Sequence, residues 1–157
     1  MNILIFNCGS SSQAFKVFQV ASDGASAVVA AGKAKNVATH TRAEARMDWN
    51  IAGQAGSTTA DFSSHRLAAR EILALLREYD IPVDAVGHRF VHGGDLFQAT
   101  ARLDEPALQK LQKCLPLAPI HNPNSYSVIE VCNEELPGVP QYAVFDTAFH
   151  AGMPEEA

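Results

Sequence analysis

The opening of the chain narrows the possible folds most. Ile3 to Phe6 is an unbroken apolar run that ends in Asn7-Cys8-Gly9-Ser10-Ser11-Ser12. Beyond those small polar residues, Gln13 to Val20 alternates, with Phe15 and Val17 set against Lys16 and Gln19. A continuous apolar run reads as a buried strand, and alternation reads as a strand covered on one face. Strand, tight polar loop, strand is therefore the opening unit. The start also lacks a basic segment and a small-residue cleavage site, so it reads as a strand rather than a secretion signal.

The rest of the chain extends this unit into an α/β domain. Ala27 to Ala34 is a third candidate strand and Ala45 to Ile51 a weaker fourth, whereas His40-Thr41-Arg42 and Gly53 to Thr59 suggest exposed loops. Phe62 to Tyr79 predicts a helix, because Ala68, Ile72, Leu75, Leu76 and Tyr79 fall on one stripe. Asp61 or Ser63 is placed to cap its start, and Asp80-Ile81-Pro82 to end it, since a residue before proline avoids helical geometry. A strand over Val83 to Val91, helices over Glu105 to Leu115 and Asn124 to Leu136, and a last strand over Gln141 to Phe149 complete the pattern. Strands first, then helices alternating with strands, indicate a mixed β-sheet with flanking helices.

Composition excludes several classes. With 157 residues, 47% of them hydrophobic and 18% charged, the chain is long enough to bury one domain core and too apolar for disorder. A net charge of -5 argues against non-specific nucleic-acid binding, although a local Arg can still dominate an anion pocket. No apolar run is long enough to cross a bilayer. Three widely spaced cysteines, Cys8, Cys114 and Cys132, fit a reduced cytoplasmic protein. The last residues, Met153-Pro154-Glu155-Glu156-Ala157, read as the opening of a further segment, so a fragment of a longer protein is expected.

Four segments carry candidate chemistry, each with a plain alternative. The Asn7 to Ser12 loop offers backbone N–H groups and hydroxyls suited to phosphate, and Asn7 has an amide oxygen for a hydrated divalent cation. A solvated hairpin turn explains the same residues. In Gly87-His88-Arg89-Phe90-Val91-His92-Gly93-Gly94, Arg89 shares a strand face with Val91, and His88 and Phe90 share the other. A buried Arg requires an anion, and its planar fork suits a carboxylate or phosphate; pairing with an internal acid is the alternative. Leu117-Ala118-Pro119-Ile120-His121-Asn122-Pro123 is too proline-rich for regular structure yet apolar, which predicts a fixed, partly buried loop. There Ile120 can face a small apolar group, His121 an anionic oxygen, and Asn122 can cap the next helix. Asp146 is expected at the carboxyl end of a buried strand, where open α/β sheets collect ligands, or else it caps a helix.

Together these blocks, with Val144-Phe145-Asp146-Thr147-Ala148-Phe149-His150 and Met153-Pro154, resemble the acetate kinase family in order and over nearly the whole chain. The resemblance implies a ribonuclease-H-like, actin-like ATPase domain over residues 1–157, the N-terminal domain of a two-domain enzyme. It implies reversible transfer of the ATP γ-phosphoryl to acetate, giving ADP and acetyl phosphate, with Mg²⁺. By position, Asn7 matches the metal-site Asn, Ser10 and Ser12 the phosphate-loop serines, and Arg89 the carboxylate-binding Arg. Val91 and Ile120 fall on the acyl pocket, His121 on a phosphate-contacting His and Asp146 on the catalytic Asp. Acetate against propionate would be set by pocket depth around Val91 and Ile120.

Two departures qualify the resemblance. Ala14 stands where the family has a nucleotide-contacting Lys, and Lys16 lies on the same face roughly 7 Å farther along. Partial substitution by Lys16 predicts weaker nucleotide handling, which Lys at position 14 should improve. The family's C-terminal nucleotide-binding domain, which carries its homodimer interface, is absent from this chain, so the isolated chain is expected to be inactive. A non-catalytic carboxylate-binding module and a purely structural α/β domain remain the competing readings.

Overall fold

The computed structural model describes residues 1–39, 45–90, 100–119 and 121–145. Val91, Ile120 and Asp146, as well as His40-Thr41-Arg42, lie outside the described residues. The elements run in the order β1 (Asn2–Cys8), β2 (Ser12–Val20), β3 (Ser26–Lys35), β4 (Arg46–Ile51), β5 (Gln54–Thr59), α1 (His65–Glu78), β6 (Ala85–Phe90), β7 (Ala101–Arg102), α2 (Glu105–Cys114), α3 (Asn122–Glu135) and β8 (Gln141–Phe145). Between α2 and α3, Leu115–Leu117 makes one 3₁₀ turn.

The strands form a single mixed sheet in the order β5-β4-β3-β2-β1-β6-β8-β7. The first five are an antiparallel meander, while β1, β6 and β8 pair in parallel. Parallel neighbours need a crossover, and the two crossovers pass through α1 and through α2 and α3. This is the actin-like ATPase arrangement of a mixed sheet with helices.

The described helices pack on one face of the sheet. Leu4, Phe6 and Cys8 of β1, Phe15 and Val17 of β2 and Val86 of β6 share a core with the buried stripe of α1 (Ala68, Ile72, Leu76) and with Val128 and Val131 of α3. Farther along, Phe90, Ala143 and Phe145 pack with Leu111 and Cys114 of α2 and Ile129 of α3. The opposite face carries Ile3, Ile5 and Asn7, then Ala14 and Lys16, and none of these is buried. Gln13, His88 and Gln141 are polar side chains that the strands place in the covered layer. The His88 Nε2–H donates to Gln141 Oε1 at 2.7 Å, and Gln141 Nε2 donates to Asn133 Oδ1 at 2.7 Å.

Several local expectations are corrected. Gly53 to Thr59 is largely a strand, because Ala52 and Gly53 both take positive φ (51° and 81°) and make a two-residue hairpin turn that returns β5 onto β4. Trp49 then lies against Gly56, where a Cβ would come within 2.5 Å of the indole. α1 starts at His65 rather than Phe62, and its cap is Ser64, whose side chain accepts from Leu67 N; Asp61 accepts instead from Ser63 N. β7 has only two residues and no periodicity to reveal it. α3 begins at Asn122, so Asn122 does not cap it; its side chain donates to Cys114 O at 2.7 Å. The proline-rich segment is thus taken up by regular structure at both ends, and Leu117 is exposed.

The end of α1 has a cause beyond Pro82. Asp80 N–H donates to Arg77 O and Ile81 N–H to Leu76 O, the paired bonds of a Schellman cap. Asp80 sits at its left-handed position with φ of 55°. Glycine adopts that conformation without a Cβ penalty, so Asp80→Gly should stabilise the domain by roughly 0.5–1 kcal/mol. A thermal melt is expected to rise by about 2 °C, and a fall in Tm would contradict this account of the cap.

Candidate functional site

The site lies on the open face at the carboxyl ends of β1 and β6. Both strands alternate: even-numbered Leu4, Phe6, Val86 and His88 turn to the helices, which sends Asn7 and Arg89 to the opposite side. Arg89 Nη1 donates to Asn7 Oδ1 at 3.2 Å. Arg89 is exposed, not buried as its apolar strand suggested, because the described helices cover only the other face. Ser125 of α3 donates to the Arg89 carbonyl at 3.3 Å and fixes the backbone beneath it.

A pocket of about 390 Å³ is lined by Asn7, Cys8, Gly9, Ser12, Ala14, Lys33, Arg89 and His121. It gathers five positions singled out from the sequence: Asn7, Ser12, Ala14, Arg89 and His121. Ser10 lies in the same loop and is exposed. Lys16 lines the neighbouring groove, with Ile5, Phe18 and Ala31, and not this pocket. No carboxylate is among the described lining residues, and Lys33 and Arg89 bring cationic side chains to it. The chemistry of that set selects an anion.

The polar loop is tight and pinned from below. Gly9 N–H donates to Ser12 O at 2.9 Å, and a Cβ at Gly9 would come within 2.4 Å of Ser12 Oγ. A larger residue would therefore move the very hydroxyl that faces the pocket. His65, the first residue of α1, reaches the loop from the core side. Its Nε2–H donates to Gly9 O at 2.8 Å and Ser12 O at 3.2 Å. Burial lowers the His65 pKa, opposed by those two carbonyls and aided by His121 nearby. His65 was missed in the sequence because it is 56 residues from Gly9 and sits at a helix start, where nothing local marks it.

Cys8 lines the pocket but is no nucleophile. Its thiol donates to Gln13 Oε1 at 2.7 Å, and burial pushes its pKa up to about 11, so the thiolate is scarce at neutral pH. All three cysteines are free and buried. Among the described residues no His, Cys, Asp and Glu cluster could by itself hold a metal.

Comparison with known proteins decides the family. The model of the Acetokinase family matches residues 2–157, essentially the whole chain. The chain belongs to that family. Acetate kinase from Acetivibrio thermocellus is 36% identical over 170 residues, covering 100% of this chain and 40% of that protein. Acetate kinase from Chromobacterium violaceum is 38% identical, covering 99% of this chain and 38% of that protein. Among solved structures, acetate kinase from Entamoeba histolytica matches with a TM-score of 0.82 and 42% identity, over 99% of this chain and 37% of that one. A propionate kinase from Francisella tularensis matches with a TM-score of 0.81 and 32% identity, over 99% of this chain and 39% of that one. This acetokinase-family chain thus spans about two-fifths of the length of the relatives it matches. No described helix is long and apolar enough to cross a membrane.

Proposed function

We propose that this chain supplies the carboxylate and phosphoryl end of an acetate kinase, ATP and acetate giving ADP and acetyl phosphate reversibly. The observation that supports the reading is the pocket that joins Asn7, Gly9 and Ser12 of the loop to Arg89 and His121, with no carboxylate among its described lining residues. Acetate, with a pKa near the ~4 of Asp or Glu, is ionised at pH 7 and needs no general base. Arg89 offsets the repulsion between that anion and the phosphates and aligns it for in-line attack. A carboxylate oxygen bonds to the γ-phosphorus as the bond to the ADP oxygen breaks, and ADP leaves with the electron pair. Ser10, Ser12 and His121 donate to the transferring group. By their match to the family's blocks, Val91 and Ile120 would serve the acyl group, whose size separates acetate from propionate, and Asp146 would orient the substrate. Most of the acceleration in such transfers is positioning and charge neutralisation.

Magnesium would be held by the phosphates together with Asn7, whose Oδ1 here accepts from Arg89 and would have to be released to it, and it would supply charge neutralisation. The adenosine site and the homodimer contacts would lie in the part of the relatives' length that these 157 residues do not span, in a cytoplasmic protein. Consequently this chain alone should give no acetyl phosphate, whereas a version extended to the relatives' full length should. Hydroxamate trapping with acetate and propionate tests both statements. Turnover by the 157-residue chain would refute the division of labour, and an inactive extended version would favour a binding module.

A further inference from the structure

Ala14 leaves a gap in the pocket, and the strand register shows what stands beside it. Asn7 of β1 pairs with Ala14 of β2, Ala14 with Lys33 of β3, and Lys33 with Asp48 of β4. Directly paired residues project to the same face with Cβ atoms about 5 Å apart. Lys33 therefore rises from the open face next to Ala14, and it lines the pocket with Asn7, Ser12, Arg89 and His121. The acid across from it, Asp48, is taken by Arg46 at 2.8 Å. Among the described residues Lys33 makes no ion pair. Its four-carbon stem is long enough to carry the ammonium over the alanine methyl.

Lys16 is less well placed. It lies one pleat repeat, roughly 7 Å, beyond Ala14 and away from the polar loop, and it lines only the adjoining groove. Lys35 pairs with Ser12 but does not line the pocket.

We propose that Lys33 binds the polyphosphate of the nucleotide from the β3 side of the pocket, occupying the space that Ala14 leaves open. This rests on the anion-pocket reading above. It also reverses the expectation for position 14. A lysine added opposite Lys33 places two like charges side by side, so Ala14→Lys gains little while Lys33 is present and much once Lys33 is gone.

The test is calorimetric titration of the 157-residue chain with inorganic tripolyphosphate at low ionic strength. Lys33 is exposed, so its replacement should leave the fold intact, as circular dichroism will report. Lys33→Met should weaken binding about tenfold, a loss that shrinks as salt is added. Lys16→Met should cost clearly less, and Ala14→Lys in the Lys33→Met background should restore affinity to near that of the original chain. Lys33→Met binding within about twofold of the original, or a Lys16→Met loss as large, overturns the proposal. Arg89→Ala separates the two levels. If Arg89→Ala weakens binding and Lys33→Met does not, the role of Lys33 fails and the anion pocket stands. If the original chain binds no tripolyphosphate, or Arg89→Ala has no effect, the pocket reading fails and the proposal falls with it.

Discussion

Lowering the pH from 7 to 4 should destabilise the domain by roughly 3 kcal/mol through one residue, His88. The side chain is 2% exposed, stacked on Phe6 with ring centroids 5.8 Å apart, and bonded to Gln141. Burial lowers its pKa from 6.5 to about 4, and the Gln141 bond opposes that only in part. The sign follows from proton uptake. Below pH 6.5 the unfolded chain protonates its histidine, while the folded chain does not until about pH 4. Across that window the unfolded state holds more protons, so stability is full above 6.5 and falls as the pH drops. Set against the 5–15 kcal/mol typical of a domain, roughly 3 kcal/mol is a large share. His65, lowered in the same direction, adds to the effect. Exposed Asp61 and Glu134 are also lowered, so their contributions are lost in more acid solution, below the ordinary carboxylate range. Urea unfolding at pH 7 and pH 4.5 measures this. In His88→Gln, which keeps a donor toward Gln141 but cannot titrate, most of the pH dependence between those values should vanish. An undiminished dependence in that variant would place the acid sensitivity elsewhere.

The parts of this fold that were legible in the sequence are those whose signal is local. The β1–β2 hairpin announced itself through an apolar run, a small-residue loop and an alternating run, and α1 through its stripe. β5 did not, because its residues (Gln54-Ala55-Gly56-Ser57-Thr58-Thr59) carry little apolar patterning and its turn, Ala52-Gly53, lacks the usual Asn-Gly. Its place is set by pairing with β4 and by Trp49 over Gly56, both tertiary facts. The site divides in the same way. Asn7, Ser12, Ala14, Arg89 and His121 were legible as members of recognisable blocks, and the pocket joins them. The exposure of Arg89 was not legible, since alternation says which residues share a face but not which face receives the helices. Lys33 was invisible for a related reason. Only the β2–β3 register, with its irregularity between Val17 and Phe18, decides which β3 residue meets Ala14.

The largest functional effect should come from Arg89. In a version extended to the relatives' full length, with the proposed acetate kinase activity, Arg89→Ala is expected to raise the KM for acetate by one to two orders of magnitude, since a charge-assisted pair with a carboxylate contributes about 1.5–3 kcal/mol. The KM for ATP should move much less, because the phosphate contacts proposed for Ser10, Ser12, His121 and Lys33 are left in place. The rate constant should also fall, as Arg89 offsets the repulsion that grows when acetate approaches the γ-phosphoryl group. Arg89→Lys separates charge from geometry. Lysine keeps the positive charge but not the planar fork, so it should recover part of the acetate KM and little of the rate. The hydrogen bond from Arg89 to Asn7 adds a further consequence. Losing it releases the Asn7 amide, so Asn7→Ala and Arg89→Ala should be non-additive by more than the few tenths of a kcal/mol expected of independent sites. An unchanged acetate KM in Arg89→Ala would remove the carboxylate from this pocket altogether and leave it a phosphate site alone. Because Arg89 is exposed and Phe90 beside it holds the core contact, a loss of activity in a variant with an unaltered melting temperature can be assigned to the site rather than to the fold.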